Sequence, residues 1–230
     1  MQNTVHSSSI RALTILRMCA HYQTVTKPER LRDVFKVAMP QGAVADVWPS
    51  YAGLFIRHPK EAQHGEGMAP WREAMTGSFG LVPHWAKDTS LAKRTYNARS
   101  ETVATKPSYR DAWRLGRRCI IPAEAIYEPD WRSGRAVPTR IARADGRPMG
   151  IAGIWTGWRA PDGTVLRSMS MLTVNADDHP LMRHFHRPED EKRMVVILEE
   201  ADFDAWLDPN RGAPVSMLGC LDAGGLISGV

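Results

Sequence analysis

The chain has 230 residues and a mass of 25.7 kDa, enough to bury one sizeable core, and its 43% hydrophobic and 24% charged content excludes both a short peptide and a chain disordered over most of its length. The net charge of +5 is modest but unevenly placed: Trp85 to Arg118 holds nine basic residues (Lys87, Lys93, Arg94, Arg99, Lys106, Arg110, Arg114, Arg117, Arg118) against three acids (Asp88, Glu101, Asp111). The whole excess sits in that stretch, which reads either as a solvated charged face or as the footprint of a polyanion.

In chain order, residues 1–17 (MQNTVHSSSIRALTILR) lack Gly, Pro and acids, and their apolar stretch is too short for a signal-peptide core. They read as a frayed arm, as a mitochondrial-type presequence, or as sequence upstream of a true start at Met18. Pro28-Glu29 predicts a helix reaching about Val37, because proline suits a first turn and acids suit a helix N-terminus. Gly65 to Gly77 reads as a flexible loop.

Thr139 to Ala144, the Asp145-Gly146 turn and Met149 to Trp155 predict a hairpin, and Pro161-Asp162-Gly163 leads into a further strand from Thr164 to Val174. Arg193 to Leu198 is a short apolar run of buried-strand type. Glu199 to Leu207 reads as a helix with Phe203 and Trp206 inward. Strands joined by short turns, with few helices of crossover length, predict an α+β fold around a curled, mainly antiparallel or mixed, barrel-like sheet. A single domain over residues 18–212 is expected, between the 1–17 extension and a loose, small-residue tail over 213–230.

Cys19, Cys119 and Cys220 lie about a hundred residues apart with no CxxC pair, which argues against a disulfide framework and a structural zinc site and predicts a reducing compartment. No apolar run approaches the roughly 18 residues of a membrane span, so no membrane association is expected. Nucleotide-phosphate cradles, zincins and α/β-hydrolases lack their motifs here. His179, His184 and His186 with Asp177 and Asp178 match no standard metal spacing.

Four segments remain: Met18-Cys19-Ala20-His21-Tyr22; GLVPHW (80–85) with NARSET (97–102); RCIIPAEAIYE (118–128); and Phe185-His186 with RMVVIL (193–198). In this order and spacing, from Met18 to Leu207, the chain resembles the SOS response-associated peptidase (SRAP) family, whose members link covalently to abasic sites in single-stranded DNA. The resemblance implies Cys19 as nucleophile, Asn97 orienting its α-amine, Glu128 as acid/base and His186 assisting proton transfer. It also implies Arg99 and Arg110 on DNA phosphates and Trp85 as a wedge or stacking surface.

An N-terminal cysteine suits this chemistry, since an α-amine with pKa about 7.7 to 8.0 and a thiol near 8.5 on adjacent carbons close a five-membered thiazolidine with an aldehyde. The implied function is abasic-site capture in the DNA damage response, with self-processing peptidase activity and no cofactor, in a cytoplasmic, DNA-associated monomer whose partner is single-stranded DNA.

The chain departs from the family pattern in places. Ala20-His21 stands where members usually have Gly-Arg, Pro129 stands where Trp is common, and RPEDEK (187–192) lengthens the segment after His186 and leaves His184 as the fallback histidine. Seventeen residues precede Met18, and the mechanism requires a free amine on Cys19. Two other readings stay open: a noncovalent single-strand-binding module using Trp85 and the basic stretch, and a thiol peptidase with Cys19 and His186 as its pair.

Overall fold

The structure is a computed structural model that describes residues 19–59, 71–212, 215–219, 221 and 223–229. The 1–17 extension and Cys220 lie outside these residues. Among the described residues, twelve strands and three α-helices follow in the order β1 (His21–Thr24), α1 (Pro28–Phe35), β2 (Asp46–Val47), β3 (Ala52–Arg57), β4 (Glu73–Phe79), β5 (Asn97–Arg99), α2 (Arg110–Arg114), β6 (Arg118–Asp130), β7 (Val137–Arg143), β8 (Met149–Arg159), β9 (Val165–Asn175), β10 (Arg193–Val195), β11 (Ile197–Leu198), α3 (Phe203–Leu207) and β12 (Leu226–Gly229).

All strands join one sheet. The pairings β8–β9, β9–β4, β4–β3, β3–β6 and β6–β8 return to their starting strand, so five strands close into a barrel. Closure removes free edges from this ring. Pairing is antiparallel except where β4 and β5 run parallel to β9, so the sheet is mixed, as expected for this α+β chain.

Along the barrel strands Leu54, Ile56, Phe79, Ile120, Ile121, Ile151, Ile154, Met169 and Met171 are all essentially inaccessible to solvent, and they cover both faces of the sheet, since neighbours such as Ile120 and Ile121 point opposite ways. Burying a large aliphatic or aromatic side chain contributes on the order of 1.5–3 kcal/mol, so this core accounts for much of the stability. Strand β6 is the hub: it pairs with β1, β3, β7 and β8 along its 13 residues.

The strands expected at 139–144, 149–155 and 164–174 are present as Val137–Arg143, Met149–Arg159 and Val165–Asn175, but the first two do not form the expected hairpin. The long β6 offers each a separate length, Ile126–Asp130 to β7 and Arg118–Ala123 to β8, and it is β8 and β9 that pair across Pro161-Asp162-Gly163. Helix α1 ends at Phe35, two residues before Val37, because Lys36 adopts the left-handed conformation (φ 61°) and its N–H caps the carbonyl of Arg32. The run 193–198 is divided between two strands: β10 pairs with β9 and β11 with β8, while Val196 bonds to Leu172 and Ala152 on either side. The run thus bridges the gap where β8 and β9 separate.

Only a 3₁₀ turn (Glu200–Asp202) and the short α3 form from 199–207, yet Phe203 and Trp206 do point inward. Phe203 stacks on Phe35 at 5.4 Å, and the Trp206 indole N–H donates to the Cys119 carbonyl at 2.8 Å.

The loop expected over Gly65 to Gly77 is corrected in its second half: Glu73–Phe79 is strand β4, in register with β3 from Arg57↔Glu73 to Ala52↔Ser78. Gly77 is there for close approach rather than flexibility. A Cβ at that position would lie 2.9 Å from both the Arg167 carbonyl oxygen and the Phe55 ring. Near the C-terminus, Leu226–Gly229 pairs with β7 over four residues, so this part of the segment that composition reads as a loose tail is tied to the sheet.

Candidate active site

Glu128 lies near the end of β6, opposite Thr139 of β7, and its carboxyl is removed from solvent. A buried carboxylate is costly unless every lone pair finds a donor. Three groups meet that need. The backbone N–H of Cys19 donates to Oε1 at 3.1 Å and Oε2 at 3.2 Å, the Cys19 thiol donates to Oε1, and the imidazole Nε2 of His186 lies 3.1 Å from Oε2.

Each partner arrives from a different part of the chain. A single residue, Ala20, separates Cys19 from the short β1, which is held between β2 and β6. His186 follows a 3₁₀ turn (Met182–His184) and takes a left-handed backbone (φ 64°). Its N–H donates to the Pro129 carbonyl at 3.0 Å, and neighbouring Phe185, fully buried, bridges to Asp130. The end of β6 therefore carries both the carboxylate and the anchor for the histidine.

The electrostatics follow from this enclosure. Burial pushes the Cys19 thiol pKa well up, and the charge and hydrogen bond of Glu128 push it further, while a backbone hydrogen bond from Val195 opposes the rise. The thiol is neutral and hydrogen-bonded. For His186, burial works against protonation, but the charge and hydrogen bond of Glu128 outweigh it and the pKa ends above its ordinary value. The arrangement holds two proton-bearing groups, one sulfur and one nitrogen position around a single buried acid, the equipment needed to move protons on a small carbonyl compound.

Asn97 opens β5, in register with Met171 of β9; its Oδ1 is buried, and its carbonyl accepts a 2.9 Å hydrogen bond from the Tyr109 hydroxyl. Arg99, on the same strand, is half-exposed, but its guanidinium is 2.8 Å from Glu191, which is also held by buried Arg193 at 2.7 Å. Glu191 belongs to the extra 187–192 segment. Arg110, at the start of α2, is exposed. Trp85 is 48% exposed, which removes it from the core, and its indole N–H reaches the Pro107 carbonyl at 3.4 Å.

The basic stretch is sorted by the fold. Arg118 is buried, with its guanidinium spent on the carbonyls of Trp206, Asp208 and Arg211, so it adds nothing to a surface field. Lys87, Lys93, Arg94, Lys106 and Arg110 are exposed, and among the described residues no ion pair engages them.

The histidine cluster resolves into separate tasks. His179 accepts at Nδ1 from the N–H groups of Leu181 and Met182 and donates from Nε2 to the Leu221 carbonyl at 2.8 Å, a neutral imidazole that ties a turn to the C-terminal segment. His184 contributes to the field that lowers the Asp130 pKa, behind the larger effect of the Arg132 hydrogen bond, whereas the imidazole that reaches Glu128 is that of His186. Among the described residues no group of three or more His, Cys, Asp or Glu could hold a metal ion, and no helix is long and apolar enough to cross a membrane.

Three partners escaped the sequence reading: the Val195 N–H on the thiol, the Tyr109 hydroxyl on Asn97, and Glu191 on Arg99. Val195 lies inside the RMVVIL segment, whose pattern points to a buried strand but carries no sign of a backbone contact with the thiol. The other two depend on strand geometry and left no sequence signal.

A five-stranded barrel with short peripheral helices, bearing a cysteine, a carboxylate and a histidine packed together at one strand end, defines a class of small α+β proteins with one buried Cys–Glu–His cluster. The SOS response associated peptidase (SRAP) family model matches residues 18–223, and the chain belongs to that family.

A protein from Bordetella bronchiseptica of known crystal structure is 44% identical, with a TM-score of 0.80 over 91% of this chain and 98% of that one. A Bacteroides thetaiotaomicron structure at 21% identity shares the fold, with a TM-score of 0.74. The abasic site processing protein YoqW of Bacillus subtilis is 34% identical over 139 residues, 59% of this chain and 58% of that protein. The abasic site processing protein HMCES of Gallus gallus is 26% identical over 227 residues, 87% of this chain and 63% of that protein. The matched stretch thus spans less than two thirds of the length of YoqW and of HMCES.

Proposed function

We propose that the chain processes abasic sites by capturing them covalently in single-stranded DNA, with Cys19 as the first residue of the active form. The observation that carries this reading is the convergence on one buried carboxylate of both nucleophilic positions of Cys19, its nitrogen at 3.1 and 3.2 Å and its thiol, with His186 3.1 Å away. A thiol peptidase would call for a thiolate beside a base. Here the thiol is held neutral, which favours condensation over peptide cleavage in trans.

The steps balance as follows. The free α-amine of Cys19 adds to the aldehyde carbon of the ring-opened deoxyribose, and the proton it sheds passes to the carbinolamine oxygen, giving a neutral carbinolamine. His186, in its protonated form, donates to the departing oxygen, which leaves as water and yields an iminium carbon. The Cys19 thiol then adds to that carbon and closes the thiazolidine, its proton passing through Glu128 back to His186. Aldehyde and aminothiol thus give thiazolidine plus one water, with no oxidant or reductant. Asn97 orients the amine, Arg99 and Arg110 hold phosphates, and Trp85 covers the gap left by the missing base, where stacking contributes about 1–3 kcal/mol per base.

Removal of whatever precedes Cys19 is part of this reading, because an amide nitrogen is not nucleophilic. The left-handed φ of 25° at Cys19 is unfavourable for a residue with a Cβ and ceases to constrain it once its nitrogen is terminal. The family's self-processing would supply that step.

The test combines intact-mass measurement with a denaturing gel of protein mixed with an abasic single-stranded oligonucleotide. A chain beginning at Cys19 is expected to give a detergent-resistant band, and Cys19→Ala none. Wild-type protein of that mass that leaves the oligonucleotide unmodified, or a band undiminished in Cys19→Ala, overturns the proposal.

A further inference from the structure

His21 stands two residues after Cys19 and opens β1. Its imidazole lies flat between two aromatic rings: Trp48 at 4.2 Å with 4° between planes, and Tyr127 at 4.3 Å with 13°. Its Nε2 is 2.9 Å from Asp46 Oδ1. His21 is the register partner of Tyr127, and Asp46 lies in β2 on the other side of β1, so the sandwich clamps three neighbouring strands together. Tyr127 immediately precedes Glu128, whose side chain leaves β6 on the opposite face. The stack on one face therefore fixes the two backbone segments that present the nucleophile and the carboxylate on the other.

We propose that His21 is a positioning residue for Cys19: its stacked ring holds the first residues of the active chain so that the terminal nitrogen and thiol stay on Glu128. The inference rests on the capture reading, in which Cys19 has no chain before it. A first residue is restrained from one side only, and here that side begins with Ala20 and the clamped His21. A displacement of about 1 Å at a reacting group can cost on the order of 100-fold in rate, so the clamp matters to the chemistry more than to affinity. What the clamp requires is a flat face, which an imidazole, a phenyl ring or a guanidinium all supply.

The experiment measures single-turnover capture of an abasic oligonucleotide by protein beginning at Cys19, over a range of DNA concentrations, to separate the maximal rate from the half-saturating concentration. His21→Ala is expected to lose about tenfold to 100-fold in maximal rate with half-saturation unchanged within about twofold. His21→Phe and His21→Arg are expected to restore the rate to within about threefold of wild type. Should His21→Ala not fold, His21→Leu fills the same volume without a flat face and takes its place.

A wild-type maximal rate in His21→Ala or His21→Leu overturns the inference, as does an equal loss in all variants, which would make the imidazole itself a chemical participant. A raised half-saturation at unchanged maximal rate also overturns it, by making His21 a DNA contact. Wild-type protein that captures nothing refutes the capture reading and this inference with it, whereas normal wild-type capture alongside an unimpaired His21→Ala removes the inference alone.

Discussion

Replacing Glu128 by Gln keeps the volume of a buried side chain and removes its charge. In the native protein the carboxylate accepts from the Cys19 nitrogen, from the thiol and from His186. An amide retains one acceptor oxygen but turns its other end into a donor facing groups that are themselves donors. Hydrogen bonds to a charged group contribute about 1.5–3 kcal/mol each, while relief from burying the charge offsets much of that in the folded state. Folding stability should therefore fall by about 1–3 kcal/mol, the cost of leaving a buried donor without its acceptor.

The chemistry has no such offset. Loss of a positioned acid/base costs on the order of 10²–10⁴ in rate, and 100-fold corresponds to about 2.7 kcal/mol of barrier. The assay is single-turnover capture at saturating abasic oligonucleotide, followed on denaturing gels beside a chemical-denaturation curve of the same preparation. A capture rate within about threefold of wild type in a folded Glu128→Gln protein would refute the assignment of this carboxylate to the reaction.

The raised His186 pKa owes its direction chiefly to Glu128, so in an NMR titration the imidazole should lose its proton above the ordinary histidine value of about 6.5, and in Glu128→Gln below it, where burial and the Lys192 charge outweigh Asp190. The sign for stability follows: the His186–Glu128 interaction is fully present below pH about 6.5 and is lost as pH rises through the folded-state value, which stepwise denaturation at increasing pH detects. Glu191→Gln releases Arg99 from its ion pair and should tighten binding of undamaged single-stranded DNA about twofold to fivefold at low salt in fluorescence anisotropy, with the difference shrinking as salt screens it; unchanged affinity would detach Arg99 from the DNA surface. Gly80→Ala should destabilise the protein by several kcal/mol in thermal or urea unfolding, because φ is 117° and the new methyl would lie 2.0 Å from the Ala92 carbonyl oxygen.

Local pattern made the strands β7, β8 and β9 and the inward Phe203 and Trp206 legible, because alternation and turn residues are short-range signals, but it paired β7 with β8, whereas both lie against the distant β6. The division of 193–198 between β10 and β11 was not legible, since it depends on where two distant strands part. β4 was hidden because its close approach to β3 and β9 selects Gly77, a residue that composition assigns to loops.

At the site, the motif order singled out Cys19, Glu128 and His186, which the fold brings together on one carboxyl group. The basic stretch was legible as charge but not as surface: only the fold separates Arg118, spent on buried carbonyls, from exposed Lys87, Lys93 and Arg94. His21 read as a departure from a pattern. Its neighbours Trp48, just after β2, and Tyr127, in β6, lie 27 and 106 residues away along the chain, beyond any local rule.

The enclosure of the Cys19 sulfur has a bearing on its survival under oxidative stress. Peroxide attacks thiolates, and a sulfhydryl kept protonated inside the protein presents very little of that form. Conditions that generate sulfenic acid on open, acidic cysteines would leave this one reduced. The residue stays chemically available when oxidants are most abundant.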